Sequence, residues 1–119
     1  PSSILLAVMA SGFNGQSFAF HGYLPIDSSE RSKRLKQLEQ RSMHENQTQL
    51  FIETPYRNAK LFADILSACA PQTRLWVAAG IRTEREYIRS MTLKEWKQKG
   101  LAELGKIPAI FAIYAGGRR

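Results

Sequence analysis

The apolar residues of the chain recur at two spacings, one typical of strands and the other typical of helices. Short apolar runs bounded by Gly, Pro or polar residues predict strands, and apolar residues three and four positions apart predict helices. The predicted order of elements is α-β-α-β-α-β-β-α-β. Helices are predicted at residues 4–10, 27–44, 58–70 and 92–100, and strands at residues 18–21, 48–54, 74–79, 86–91 and 107–114.

End signals support the predicted helices. Asp27 and Glu30 have the spacing of a capping box, and so do Thr92 and Glu95. The apolar face of the helix at 58–70 includes Cys69, which we expect in the core. The helix that begins at Asp27 has a thin apolar stripe, so we expect it to lie on the surface. Its stripe consists of Leu35 and Leu38, and its basic residues are Arg31, Lys33, Arg34, Lys36 and Arg41.

Strands that alternate with helices indicate an α/β fold with helices on the faces of a sheet. The connection from Gly80 to Glu86 is too short for a parallel crossover, so one pair of strands must be antiparallel. We therefore predict an α/β fold with a mixed sheet of about five strands flanked by helices. Residues 1–115 are predicted to form this domain and residues 116–119 a disordered tail. Because the chain opens with Pro1 rather than Met, we expect it to belong to a longer protein.

Size and charge narrow the class of protein. With 119 residues, of which 44% are apolar, the chain can form one domain with its own core. It has no apolar run near the roughly 18 residues that span a bilayer, so we expect no membrane contact. The net charge of +7 suits a polyanionic partner such as RNA and suits equally a surface that is merely soluble.

Common catalytic and metal-binding signatures are missing from the sequence. There is neither a glycine-rich dinucleotide motif nor a phosphate loop. Cys69 is the single cysteine, and His21 and His44 are too few helpers for a zinc site. We therefore expect no metal, and a reducing cytoplasm as the compartment. His21 is expected to make a structural hydrogen bond at a strand end rather than to catalyse a reaction.

One polar motif stands where α/β proteins bind ligands. The run Glu53-Thr54-Pro55-Tyr56-Arg57 follows an apolar strand, and ligands gather beyond the carboxyl ends of strands in such sheets. Gly80 has the same place after the strand at 74–79, so the two strand ends together predict a ligand wall. The pattern leaves open an alternative, a helix-entry turn in which Arg57 pairs with Glu53.

Four segments, in order along nearly the whole chain, resemble the tetrapyrrole methylase superfamily of S-adenosylmethionine-dependent methyltransferases. Pro1-Ser2-Ser3 and the apolar helix after it are similar to the start of the C-terminal domain of those enzymes. Residues 20–25 (FHGYLP) and the basic helix at 31–38 resemble segments of the branch that methylates the 2'-hydroxyl of cytidine in ribosomal RNA. Residues 51–57 (FIETPYR) are similar to that branch's aromatic-x-Glu-Ser-Pro-His-Arg motif.

The resemblance implies roles for the whole protein and for individual residues. Such enzymes hold S-adenosylmethionine in a cleft between two domains, and this chain corresponds to the C-terminal one, without the N-terminal domain that carries the glycine-rich donor motif. The implied partners are ribosomal RNA or the 30S subunit, and the implied state is a homodimer in the cytoplasm. No catalytic residue is assigned. The implied donor-binding residues are Ser2, Ser3, Glu53, Thr54, Ala79, Gly80, Pro108 and Ala109, and the implied substrate contacts are Tyr56 and Arg57.

Two other functions remain open. Residues 79–83 depart from the Arg-Glu-Leu-Thr-Lys stretch that is usual in the RNA branch, so a tetrapyrrole or another small molecule is an alternative substrate. A basic RNA-binding module without enzymatic activity is the alternative from another class. For Gly80, the resemblance predicts that Gly80→Val abolishes donor binding with little loss of fold, whereas a simple turn role predicts lost stability as well.

Overall fold

The computed structural model of the protein describes residues 17–81 and 83–116. The helix predicted at 4–10, together with Ser2 and Ser3, lies outside the described residues, and so does most of the predicted tail. The elements in chain order are β1 (Phe18–Tyr23), α1 (Ser28–Glu45), β2 (Thr48–Glu53), a 3₁₀ turn (Pro55–Arg57), α2 (Asn58–Ala68), β3 (Arg74–Ala79), β4 (Tyr87–Thr92), α3 (Leu93–Lys99) and β5 (Ala109–Tyr114).

The five described strands form one mixed sheet in the order β1-β2-β5-β3-β4. β1 pairs with β2 in parallel, whereas the β2–β5, β3–β5 and β3–β4 pairs are antiparallel. This confirms the predicted α/β fold, the five strands and the antiparallel pair after Gly80. Because β5 runs opposite to both of its neighbours, β1, β2 and β3 all point the same way. Their carboxyl ends therefore meet at one edge of the sheet, beside the start of β5.

The two faces of the sheet have different coverings. One face, which we call the helix face, packs against α1, α2 and α3, and its buried residues include Phe51, Val77, Phe111 and Ile113. Side chains of a strand alternate between faces, so their neighbours along the strands lie on the opposite face. There Leu50, Trp76, Ala78 and Ala112 form a smaller buried cluster.

The two helix starts that the capping residues Asp27 and Thr92 predicted are confirmed. The Asp27 carboxylate accepts a hydrogen bond from the Glu30 N–H (3.0 Å) and caps α1. Thr92 and Glu95 form a reciprocal capping box at the start of α3. Each cap satisfies backbone N–H groups that the first turn of a helix leaves without a partner.

The expectation that α1 lies on the surface with its basic residues in solvent is wrong for Arg31. That residue is 0% exposed, and the α1 residues Leu35, Leu38, Glu39 and Ser42 are buried with it. The helix packs against α2 and against β2 and β5 of the sheet, and carboxylates from α2 and β2 pair with Arg31. Paired charges lose much less on burial than isolated ones.

Several strand boundaries also differ from the prediction by one or two residues, and two of the differences have local backbone reasons. β1 continues to Tyr23, because Gly22 adopts a φ of 68° and absorbs a shift of register between Phe20 and Tyr23. β5 begins at Ala109 rather than at 107, since Pro108 has no N–H to give to a neighbouring strand.

Candidate functional site

Three of the predicted donor-binding residues lie side by side at the edge where the strands end. Ala109, the first residue of β5, pairs with Glu53 of β2 on one side and with Ala79 of β3 on the other. Gly80 follows Ala79 directly. The two strand ends that the sequence singled out are thus brought together by β5, which is inserted between them.

A cleft of about 1000 Å³ opens at this edge. Ligand sites commonly occupy about 300–1,000 Å³, so the cleft is large for a domain of this size. Of the predicted residues, Glu53, Ala79, Gly80, Pro108 and Ala109 line it, whereas Thr54, Tyr56 and Arg57 are not among the lining residues. Among the described residues, its lining is Phe20, Tyr23, Ile52, Glu53, Ala78, Ala79, Gly80, Ile81, Thr83, Glu84, Arg85, Lys106, Ile107, Pro108, Ala109 and Ile110.

The side chains of Glu53, Ala79 and Ala109 point away from the floor of the cleft. Ala79 and Ala109 pack in the helix-face core, and the Glu53 carboxylate contacts Arg31 of α1. All three line the cleft, although they are almost fully buried. Their small or withdrawn side chains therefore do not fill it.

The floor of the cleft consists of side chains that the sequence interpretation missed. Ile110 pairs with Ile52 on one side and with Ala78 on the other. These three residues lie one position along the strands from the row that Glu53, Ala109 and Ala79 form. Phe20 and Tyr23 of β1 extend this surface. The period of two along a strand was the signal that would have found them, because it places the neighbours of helix-face residues on the cleft face.

The Glu53 carboxylate is fully engaged by protein donors. Its Oε2 accepts from Arg31 Nη1 (3.0 Å), and its Oε1 accepts from the Thr54 N–H (2.8 Å) and from Arg57 Nε (3.2 Å). Only 2% of the side chain is exposed. A carboxylate held in this way is a poor general base, since its oxygens are already occupied by protein donors.

Arg31 joins that carboxylate to a second one. Its Nε donates to Asp64 Oδ2 (2.9 Å) on α2 while its Nη1 donates to Glu53. Asp64 also accepts from the Ser28 hydroxyl (3.3 Å). The network joins α1, β2 and α2 directly behind the cleft. Removal of one member of such a buried set destabilises a protein far more than the net stabilisation from the intact set suggests.

The helix-entry alternative for residues 53–57 is confirmed. Arg57 pairs with Glu53, and the hydrogen bond to that carboxylate raises the pKa of the Arg57 guanidinium above its ordinary value. The same guanidinium lies 4.7 Å from the centre of the Tyr56 ring, and its Nη1 donates to the Tyr56 hydroxyl (3.1 Å). Tyr56 is 79% exposed, so this pair presents an aromatic ring and a cation to solvent beside the cleft edge.

Gly80 makes the turn that the sequence offered as one of its two roles, and it also lines the cleft. Its φ of 61° starts this turn, in which its carbonyl accepts from the Thr83 N–H (2.9 Å). A Cβ on Gly80 would lie 2.9 Å from the Arg85 carbonyl oxygen. The expectation that Gly80→Val leaves the fold nearly unchanged is therefore wrong, because a branched residue would be strained there.

His21 and Cys69 have the structural roles that were predicted. His21 Nε2 donates to Gln49 Oε1 (2.6 Å). Partial burial lowers the pKa of His21, and the nearby Arg34 and Arg41 lower it further, although the Gln49 hydrogen bond opposes them. Cys69 is buried in the helix-face core.

Neither a metal-binding group of side chains nor a membrane-spanning helix is found in the described part of the chain. Within residues 17–81 and 83–116, no three His, Cys, Asp or Glu side chains are grouped so that they could hold a metal ion. The helices within the same ranges are too short or too polar to cross a bilayer.

The sequence matches a ribosomal RNA methyltransferase. No protein-family model matches the chain. Over 95 residues it is 30% identical to ribosomal RNA small subunit methyltransferase I of Vibrio cholerae, in a match that covers 80% of this chain and 32% of that protein. The chain thus spans about a third of the length of this curated relative.

Solved structures share the fold. The methyltransferase CobJ matches with a TM-score of 0.63 at 17% identity, over 98% of this chain and 49% of CobJ. A uroporphyrin-III C-methyltransferase from Thermus thermophilus, solved in complex with S-adenosyl homocysteine, matches with a TM-score of 0.51 at 14% identity, over 91% of this chain and 48% of that one. The chain is therefore similar in sequence to ribosomal RNA small subunit methyltransferase I, and its mixed five-stranded sheet has the fold of the solved methyltransferases.

Proposed function

We propose that residues 1–115 are the C-terminal domain of an S-adenosylmethionine-dependent methyltransferase, and that the cleft at the strand ends is one wall of its donor site. The observation that carries this is the row Glu53–Ala109–Ala79, which lines an open cleft at the carboxyl ends of β2 and β3. Ligands bind at this edge in α/β sheets. The other wall belongs to an N-terminal domain with the glycine-rich donor motif.

Within this site, the donor lies against Ala79, Gly80, Pro108 and Ala109, which line the cleft. Glu53 contributes backbone rather than its carboxylate, because that group is occupied by Arg31 and Arg57. Ser2, Ser3 and Thr54 are assigned to the donor by the family resemblance alone. The bound donor supplies an electrophilic methyl group, and the task of these residues is to hold it in line with the acceptor.

The proposed acceptor is a 2'-hydroxyl of ribosomal RNA, presented by the 30S subunit. The name of the Vibrio cholerae relative supports an RNA substrate, and so does the net charge of +7. Tyr56 and Arg57 are placed as substrate contacts, since their exposed ring and cation suit RNA. We assign no catalytic base to this chain, and we place the protein in the cytoplasm as a homodimer.

A second candidate is a methyltransferase for a tetrapyrrole or another small molecule. The solved structures that share the fold favour it, because their names are those of CobJ and of a uroporphyrin-III methyltransferase. The candidate from another class, a basic RNA-binding module without activity, would bind RNA but would not require a donor.

The decisive experiment uses the full-length protein with methyl-labelled S-adenosylmethionine and two acceptors, 30S subunits and uroporphyrinogen III. We expect label in the RNA of the subunit, at a ribose. Label in the tetrapyrrole alone would support the second candidate, and RNA binding without donor binding or transfer would support the third.

The 119-residue chain by itself is a further check on the half-site. We expect it to transfer no methyl group and to bind S-adenosylmethionine weakly, since half a cleft leaves much of the ligand in water. Calorimetry would measure the affinity. Robust turnover, or tight donor binding by the isolated chain, would contradict the proposal that the site is shared between two domains.

A further inference from the structure

The mouth of the cleft has two chemically different rims. On one side lie two aromatic residues of β1, Phe20, which is 45% exposed, and Tyr23, which is 62% exposed. On the other side lie two exposed cations, Arg85 in the loop after β3 and Lys106 before β5. β1 and β3 are three strand spacings apart in the sheet, which is roughly 14 Å.

We propose that the outer part of this cleft binds an unpaired nucleotide of an RNA strand. Its base stacks on Phe20 and Tyr23, and its neighbouring phosphates contact Arg85 and Lys106. The inference rests on the proposed function, which it deepens by naming the structural state of the substrate and the residues that receive it.

The aromatic rings are available for this purpose because the fold makes little use of them. A ring more than half exposed gains little from the hydrophobic effect in the folded chain, and Tyr23 is such a ring. Phe18, two residues before Phe20, is also exposed and shares its face of the edge strand. The three rings form a row along β1 that leads into the cleft, and such rows of rings receive successive bases of single strands.

The size of the cleft fits two ligands better than one. Its volume of about 1000 Å³ lies at the upper end of what single small ligands occupy, and a methyltransferase must hold donor and acceptor together. The inner part is apolar, since the nearly buried residues Ala78, Ala79 and Ala109 line it. The aromatic and cationic groups lie at its mouth, where the acceptor must enter.

The same geometry requires an unpaired nucleotide. A base within a duplex is stacked on both faces and offers no free face to Phe20 or Tyr23, so an enzyme that acts inside a cleft must receive a single-stranded or extruded nucleotide. The cations at the opposite rim suit the phosphates on either side of it. Glu84 also lines the cleft and adds a negative charge there. Removal of either Arg85 or Lys106 should therefore measurably weaken the attraction of the cleft for phosphates.

The test compares Phe20→Leu and Tyr23→Leu in the full-length protein, because leucine keeps the apolar bulk and removes the ring. The control is Ile26→Ala, since Ile26 is 65% exposed and lies outside the cleft lining. The probes are a short cytidine-containing single-stranded RNA, the same RNA annealed to its complement, and S-adenosylmethionine. We expect each leucine variant to bind the single strand about 5- to 150-fold more weakly, as the loss of a base–aromatic stack predicts.

Donor affinity and melting temperature should be retained in both leucine variants, the annealed RNA should bind weakly throughout, and the control should behave as wild type. A second measurement determines how RNA affinity depends on salt concentration in Arg85→Gln and Lys106→Gln. Each variant should have a shallower slope, by the amount that the loss of about one phosphate contact predicts. Lys97→Gln on the exposed side of α3 is the matched charge control.

Other outcomes overturn the inference in distinguishable ways. If the leucine variants lose donor affinity and keep RNA affinity, the rings belong to the donor and the proposed function stands. If the leucine variants instead change the sedimentation coefficient of the protein, the rings lie at a contact between subunits. Equal binding of paired and unpaired RNA, or stacking of uroporphyrinogen III in place of RNA, would also refute it. Failure of the wild-type protein to bind S-adenosylmethionine would instead remove the proposed function.

Discussion

The two faces of the sheet reach the same edge with opposite chemistry. On the helix face, Glu53 ends β2 with a carboxylate that is closed off by Arg31 and Arg57. On the opposite face, one residue earlier, Ile52 lies at the floor of an open cleft with Ile110. The polar side chain at the end of β2 therefore holds the structure together, whereas the apolar side chains beside it line the cleft that a ligand can enter. A carboxylate at a strand end is informative about the position of a site even where its own oxygens take no part.

The largest expected effect comes from breaking the closed face. Arg31→Met should destabilise the protein by about 3–5 kcal/mol, because Glu53 and Asp64 would each lose their buried guanidinium partner. Urea unfolding followed by circular dichroism would measure it. Arg34→Met is the matched control on α1, since Arg34 is not buried and its guanidinium donates to the exposed Gln37 (3.4 Å), so its loss should cost less than about 0.5 kcal/mol. A loss for Arg31→Met as small as that of the control would contradict the structural role of the network.

Two isoleucines on β5 test the difference between the faces directly. Ile113 is 0% exposed on the helix face, so Ile113→Ala should cost about 2–5 kcal/mol of stability and leave donor affinity unchanged. Ile110 is only partly buried and lines the cleft, so Ile110→Ala should cost about 1 kcal/mol and weaken donor binding in the full-length protein. Thermal melting and calorimetry on both variants would measure the two effects. If both variants altered donor affinity equally, the face assignment would be wrong.

Gly80 lies where the two roles overlap, so its replacement should affect both stability and binding. Gly80→Val should lower stability by about 1–3 kcal/mol, the usual cost of a non-glycine residue in an unfavourable backbone conformation, and should also abolish donor binding. Gly100→Val is the control, because Gly100 has a φ of 74° but no atom within 4 Å of an added Cβ. The control should lose stability through backbone strain alone. Normal donor binding by the Gly80 variant would show that the cleft is not the donor site.

The sequence predicted the fold class and the edge that carries the cleft. Strand ends can be read from the chain, and in an α/β sheet they indicate where ligands bind. The order of strands cannot be read so easily, because it was β5, the last strand, that joined Glu53 to Ala79 by pairing Ala109 with both. No spacing within the motif at residues 53–57 indicates that insertion.

Arg31 shows the second limit of sequence interpretation. Its partners lie 22 and 33 residues further along the chain, so no local pattern distinguishes it from the exposed basic residues of α1. The alternation of side chains along each strand indicates which residues face the cleft. The interpretation of the motif at residues 53–57 rested instead on its polar residues. Polar residues attract functional interpretation, although a buried polar group must find protein partners and is then often unavailable to a ligand.

The smallest expected effect concerns His21, at the edge of the helix face. Burial, Arg34 and Arg41 lower the pKa of His21 below 6.5 in the folded chain. Between that lowered pKa and 6.5, the unfolded chain takes up a proton that the folded chain does not, so stability rises with pH across this window. The contribution is fully present above 6.5 and is lost as the pH falls through the window. His21→Gln should remove it.

Urea unfolding of wild type and His21→Gln should therefore be measured above and below pH 6.5. The carboxylates and His44 titrate in both proteins, so the difference between the two free energies of unfolding isolates His21. We expect the wild-type advantage to shrink on the acid side, because the protonated ring can no longer stay partly buried beside two arginines. The cleft face should be unaffected, so donor affinity should show no matching change between the variants. A difference in stability that stayed constant across the window would contradict the lowered pKa, whereas a parallel change in donor binding would mean that the two faces of the sheet are coupled through β1.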